Sequence, residues 1–125
     1  MFKKHRTEVP QREYHGLRSH IFLQQGDPPG TNLAVTWVEV PPGARQMLHQ
    51  HPPEQVDVIV AGTGHMRVGE EEEDVGTGDL ISIPPNVVHA IENRSQEMPS
   101  YVSAATPAFD IALYYDQPPA GEQKD

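Results

Sequence analysis

The chain contains no cysteine. Disulfide staples, thiolate metal centres and thiol nucleophiles are therefore excluded, and any metal has to be held by nitrogen and oxygen donors. Basic residues are scarce: 9 Lys and Arg stand against 18 Asp and Glu, a formal charge of −9. Phosphate-rich surfaces need positive charge in their partners, so neither nucleic acid nor membrane is expected as a partner, and a soluble protein of small molecules is. Long apolar runs are missing too. The basic start, MFKKHRTEVPQREYHG, is followed by nothing that could form a signal-peptide core or a membrane span, and the expected location is cytoplasmic. No segment holds a helical period for long, which argues against a helical bundle.

What the chain has in quantity is turn chemistry. With 13 Pro and 10 Gly in 125 residues, it reads as one domain built from many short elements. Strands are expected over 17–25, ending at GDPPG, and over 31–40, where Leu33, Val35 and Trp37 share one face and Ala34, Thr36, Val38 and Val40 the other. Further strands are expected over 56–61, over 65–68 with a short partner near Val75, and over 79–83, 89–92 and 101–104. The run EEEED at 70–74 reads as a solvated hairpin tip, because adjacent like charges repel and favour water. Phe109, Ile111, Leu113 and Tyr115 alternate with Asp110, Ala112 and Tyr114 and predict a last strand, with a polar tail from Pro118. Many short strands in one small domain predict an all-β sandwich or barrel of jelly-roll type, with a mouth and an interior where side chains converge.

Within this pattern His49 and His51 are separated by one residue. Positions i and i+2 share a face on a strand but not on a helix, so the pair presents two imidazoles together only in extended chain. The prolines and β-branched residues that follow favour extension. By itself the pair fits two exposed histidines as well as two ligands.

A wider spacing adds to it. Gly43, His49, His51, Gln55 and Gly62 resemble the first motif of the cupin superfamily, and Gly78, Pro84, Asn86, His89 and Asn93 resemble the second. Gln55 stands where that family usually has Glu, and Asn86 where it usually has Gly; Asn tolerates the left-handed conformation better than other non-glycine residues. The resemblance implies an all-β cupin double-stranded β-helix, a jelly-roll barrel. It also implies a metal site of His49, His51, Gln55 and His89 with one divalent metal per chain, zinc or nickel ahead of manganese or iron. Glu54 is the alternative third ligand, on the opposite face if the strand has begun.

Three imidazoles and an amide leave the full dipositive charge on such an ion, which makes it a stronger Lewis acid and attracts carboxylate or enolate groups. The expected function is a small metal-dependent enzyme of lyase, isomerase or cyclase type acting on a carbonyl- or carboxylate-bearing, anionic small molecule. The alternatives are a non-catalytic cupin that binds a sugar or organic acid, and an iron-dependent dioxygenase.

Asp57, two places after Gln55, is expected to point into the barrel as a general base. It could instead hydrogen-bond the outer nitrogen of a ligand histidine, or meet water at the mouth. Met47 alternates with His49 and is expected on the cavity wall. Arg45 and Arg67 are read as either anion-binding or a surface pair, His65 as an exposed strand-end residue, and His5, His15 and His20 as surface or interface residues. Tyr101, Tyr114 and Trp37 are assigned to core or interface. Residues 1–20 are expected as an N-terminal arm at a dimer interface, 21–116 as the barrel and 117–125 as the tail. A homodimer is expected, since Val56, Val58 and Val60 face away from the cavity and need cover.

Overall fold

The computed structural model describes residues 1–28 and 30–115; the expected tail over 117–125 lies outside them. After a 3-10 turn at Arg6–Glu8 the chain forms β1 (Gln11–Tyr14), β2 (Leu17–Leu23), β3 (Ala34–Glu39), β4 (Glu54–Ala61) and β5 (Thr63–Val68). There follow β6 (Glu71–Gly76), β7 (Leu80–Ile83), β8 (His89–Glu92), β9 (Ser100–Thr106) and a short helix α1 (Ile111–Tyr115). Two antiparallel sheets result, one of six strands in the order β1-β2-β3-β9-β4-β7 and one of three in the order β6-β5-β8. Their inner faces pack into an all-β jelly roll.

Alternation sets the faces. In β3, Ala34, Thr36 and Val38 are buried while Val35, Trp37 and Glu39 are half-buried on the outer side. In β4, Asp57 and Ile59 are buried with Gln55 on the same side, and Val56, Val58 and Val60 face out. The core is a cluster of Leu17, Val38, Val40, Ile59, Met66, Val75, Ile83, Ile91 and Tyr101. A second cluster, Ile21, Ala34 and Ile111, ties the helix to the six-stranded sheet. Between β4 and β5, Gly62 sits at φ +82°, and a Cβ there would come within 2.8 Å of Pro99, so only glycine fits this turn.

Three sequence expectations change. Residues 109–115 do not form a strand: Asp110 accepts from the amide of Leu113 at 3.0 Å as a helix cap, and Ile111–Tyr115 is helical. Over so few residues a period of two and one of 3.6 both match, since Ile111 and Tyr115 also lie one helical turn apart. Only Glu70 of the exposed acidic run lies in the hairpin turn. The chain turns at Gly69, and Glu71–Gly76 pairs along the whole of β5, with His65 opposite Asp74 and Arg67 opposite Glu72. Last, β1 and the first half of β2 fall within the stretch read as an arm, so pairing in the large sheet already begins at Gln11. Among the described residues no helix is long and apolar enough to cross a membrane.

Candidate functional site

Residues 41–53 link the sheets without forming a regular strand. Isolated bridges pair Arg45 with Glu92 and His49 with His89, which lays this segment along the open edge of β8. His49 and His89 exchange both backbone hydrogen bonds, at 3.2 and 2.9 Å, so their rings stand side by side with centroids 4.2 Å apart. His51 follows as the chain crosses to β4, with its ring 5.2 Å from that of His89 and 6.3 Å from that of His49. Asn86, at φ +61°, makes the left-handed turn expected of it and donates its amide to the His51 carbonyl at 2.8 Å. Asn93 is buried and donates to the carbonyls of Val40 and Glu97, which fixes the loop beyond β8.

Each imidazole is held the same way. Nδ1 of His49 faces the Met47 carbonyl, that of His51 the Pro53 carbonyl and that of His89 the Val87 carbonyl, each at 2.9 Å. A carbonyl only accepts, so the three Nδ1 atoms carry protons, and on a neutral ring Nε2 presents a lone pair. Burial, and next the neighbouring His89, push His49 down to about 3, and burial pushes His89 down to about 4, so both stay neutral near pH 7. Nε2 of His89 is buried and has no hydrogen-bond partner among the described residues.

Gln55 closes the fourth side. Its Nε2 donates to Asp57 Oδ1 at 2.8 Å, which turns its Oε1 toward His51 Nε2 at 2.6 Å. Two acceptors thus oppose each other at short range, an arrangement that is stable only with positive charge between or beside them. Among the described residues no three His, Cys, Asp or Glu side chains are gathered tightly enough to be a ready-made metal centre. Imidazoles sharing an ion would have ring centres about 4.5 to 5.5 Å apart. His51 and His89, at 5.2 Å, meet that spacing, whereas His49 and His89 stand closer, at 4.2 Å, and His51, drawn toward Gln55, stands farther from His49, at 6.3 Å. The donor set nevertheless suits a divalent ion of borderline softness.

Asp57 is 3% exposed and lies behind Gln55, outside the lining of the cavity. It accepts from Gln55 and also from Ser103, its neighbour in register on β9, and burial raises it to about 6 against these two hydrogen bonds. It touches no outer histidine nitrogen, because backbone carbonyls occupy all three.

The cavity in front of His49, His51 and Gln55 holds about 50 Å³, space for a few waters, and His89 lies outside its lining. His49, His51, Gln55 and Gln46 line it together with Tyr14, Tyr114, Phe109 and Ile111. Met47 is 44% exposed instead of lining the wall, because alternation fails in an irregular segment. Tyr114, assigned to core or interface, stands with its ring 5.7 Å from that of His51. Arg45, Arg67 and His65 lie together in a groove on the outer side of the small sheet, away from this cavity.

Sequence reasoning missed the rim. The β1–β2 hairpin turns through His15 and Gly16, at φ +57° and +81°, the primed turn that matches strand twist. This places Tyr14 over the mouth, stacked on Tyr115 at 4.2 Å, and His15 beside His49 at 5.5 Å between ring centroids. Tyr14 and Tyr114 are hydrogen-bonded, and burial holds both phenols above their usual range. These residues come from outside the two motifs, and no local pattern marks them.

Comparison with known proteins bears on the whole arrangement. An uncharacterized protein of Methanocaldococcus jannaschii is 42% identical over 65 residues, 51% of this chain and 52% of that protein, so the match spans about half of each. A cupin of Shewanella frigidimarina described as RmlC-like superposes with a TM-score of 0.74 at 19% identity, over 87% of this chain and 93% of that one. The polyketide cyclase RemF of Streptomyces resistomycificus gives 0.71 at 23% identity, over 85% of this chain and 79% of that one. Residues 36–104, which carry the three histidines and Gln55, match the family described as Cupin domain. With these residues, two packed antiparallel sheets and donors converging between them, the chain belongs to the cupin family.

Proposed function

We propose that His49, His51, Gln55 and His89 bind one divalent metal ion, zinc or nickel ahead of manganese or iron. On this reading the protein is a small metal-dependent enzyme of lyase, isomerase or cyclase type acting on an anionic carbonyl or carboxylate compound. The observation that carries the reading is the opposition of His51 Nε2 and Gln55 Oε1 at 2.6 Å. One proton on His51 would relieve that contact alone. A single cation shared with the neutral His49 and His89 would answer their lone pairs as well.

Such an ion would polarise an oxygen of the substrate. The chain's own residues do the rest. Tyr14 and Tyr114 keep their protons, and with one hydroxyl proton engaged between them the other is left for a ligand oxygen. Phe109, Ile111 and Ala105 supply apolar walls that exclude water and strengthen the electrostatics inside. A second reading, a non-catalytic binding cupin, is favoured by the cavity of about 50 Å³ beneath α1, which admits only a very small ligand unless the helix moves.

Elemental analysis of the purified chain beside His51→Ala tests the site. About one equivalent of metal in the parent, lost in the variant, is expected; a parent that takes up no zinc, nickel, manganese or ferrous iron on reconstitution would sink the proposal. We further propose a homodimer, supported by Val56, Val58, Val60 and Leu80 on the outer side of β4 and β7, where Leu80 is 61% exposed. Sedimentation showing a monomer independent of concentration would contradict it.

A further inference from the structure

A buried carboxylate needs a reason, and the partners of Asp57 are neutral: the amide of Gln55 at 2.8 Å and the hydroxyl of Ser103. An ionised carboxylate can only accept, so Gln55 must give it the NH2 end. The amide is planar, and its oxygen then has to face His51. The two ends of a glutamine amide are nearly the same in shape, and without the bond to Asp57 its NH2 has no acceptor among the described residues to keep them from exchanging. In the exchanged state the NH2 would donate to His51 Nε2, satisfying that lone pair internally and removing two donors from the site at once.

We propose that Asp57 is a positioning residue for the metal site: it holds Gln55 oxygen-first toward the imidazoles and places a negative charge one hydrogen bond behind a neutral ligand. This rests on the metal-binding reading above. It departs from a general-base role, because Asp57 does not reach the cavity where a substrate proton would lie. It also changes the charge argument. The amide leaves the ion's charge uncancelled in the ligand shell, yet the carboxylate that a glutamate would have supplied is present at the next remove, polarising the Gln55 oxygen through its NH2.

The test is Co²⁺ titration of the full-length chain, read by its visible absorption, with a thermal melt of each metal-free protein to check folding. The parent is expected to bind one Co²⁺. Asp57→Leu, which frees the amide to flip, is expected to bind ~10- to 100-fold more weakly, the usual size of a supporting-residue effect. Asp57→Asn loses less, since its own amide can turn an oxygen to Gln55. The decisive variant is the exchange of Gln55→Glu with Asp57→Asn: a carboxylate accepts at both ends and needs no orienting, so binding returns at least to the parent's. If folded Asp57→Leu binds Co²⁺ within about twofold of the parent, the inference fails while the metal site stands. Should Asp57→Leu not fold, an exchange variant no tighter than Asp57→Asn overturns it equally. A parent that shows no Co²⁺ spectrum overturns the metal reading and this inference together.

Discussion

Histidine is used in opposite ways inside the barrel and on the outer side of the small sheet. At the outer position His65 is clamped between two carboxylates, with Nδ1 on Asp74 and Nε2 on Glu72, each at 2.9 Å. These bonds, Asp74 first, raise its pKa and favour the imidazolium with both nitrogens engaged. Inside, each Nδ1 is engaged by a neutral carbonyl, and at His49 and His89 burial favours the uncharged ring, so their Nε2 is left as a lone pair. A histidine beside two acids resembles a metal site on paper, yet His65 has no nitrogen to spare. Three histidines with no acid touching them keep theirs. What decides is the partner of the second nitrogen.

The comparison can be broken most forcefully at His51. His51→Ala removes the donor that opposes Gln55 and is expected to abolish stoichiometric metal content, whereas His65→Ala is expected to leave it unchanged; elemental analysis of both variants decides.

Next in size is the response to acid. His49 and His89 have folded values of about 3 and about 4, below the unfolded value, so the unfolded chain binds more protons and stability falls as pH drops from about 6.5 through that range. His65 is raised, and its contribution is complete below about pH 6.5 and disappears as pH rises through its folded value. The buried pair should dominate. Urea denaturation of the metal-free protein is expected to show a net loss of a few kcal/mol, on the order of that for several pKa units, between about pH 6.5 and 4, reduced by Asp57, whose raised value of about 6 returns stability as pH falls through it. A flat profile would mean that burial at His49 and His89 does not outweigh burial at Asp57.

A sharper contrast is available at His89. Replacing it with Leu removes a buried acceptor without a partner, so the metal-free protein is expected to change by no more than about 1 kcal/mol in either direction while metal binding collapses. Thermal melts beside a metal titration would show whether the ring is kept at the expense of stability. The smallest effect is expected from His65→Ala itself, a shift of about two degrees or less in Tm, since exposed ion pairs contribute little. Differential scanning calorimetry would resolve it.

Much of this was legible in the chain. The alternation of Ala34, Thr36 and Val38 against Val35 and Trp37 separated the two faces of β3, and two histidines one residue apart are both turned inward, although their rings stand 6.3 Å apart. Asn86 was read as left-handed and is. Met47 was misplaced because the bridges around it never make a strand, and α1 because five residues cannot distinguish two periods. The rim of Tyr14, His15 and Tyr114 was invisible: a hairpin before the motifs and a helix after them meet only once the sheet is formed.

Strand periodicity, turn chemistry and the spacing of His49, His51, Gln55 and His89 depend on local sterics and on residue type, and the sequence by itself determined them. Which atom each donor offers was decided only by tertiary structure. An imidazole has two nitrogens and an amide two nearly identical ends, and nothing within the residue chooses between them. The choice is made by what lies on the far side: carbonyls at Met47, Pro53 and Val87, and a carboxylate at Asp57 that the next strand, through Ser103, holds in place.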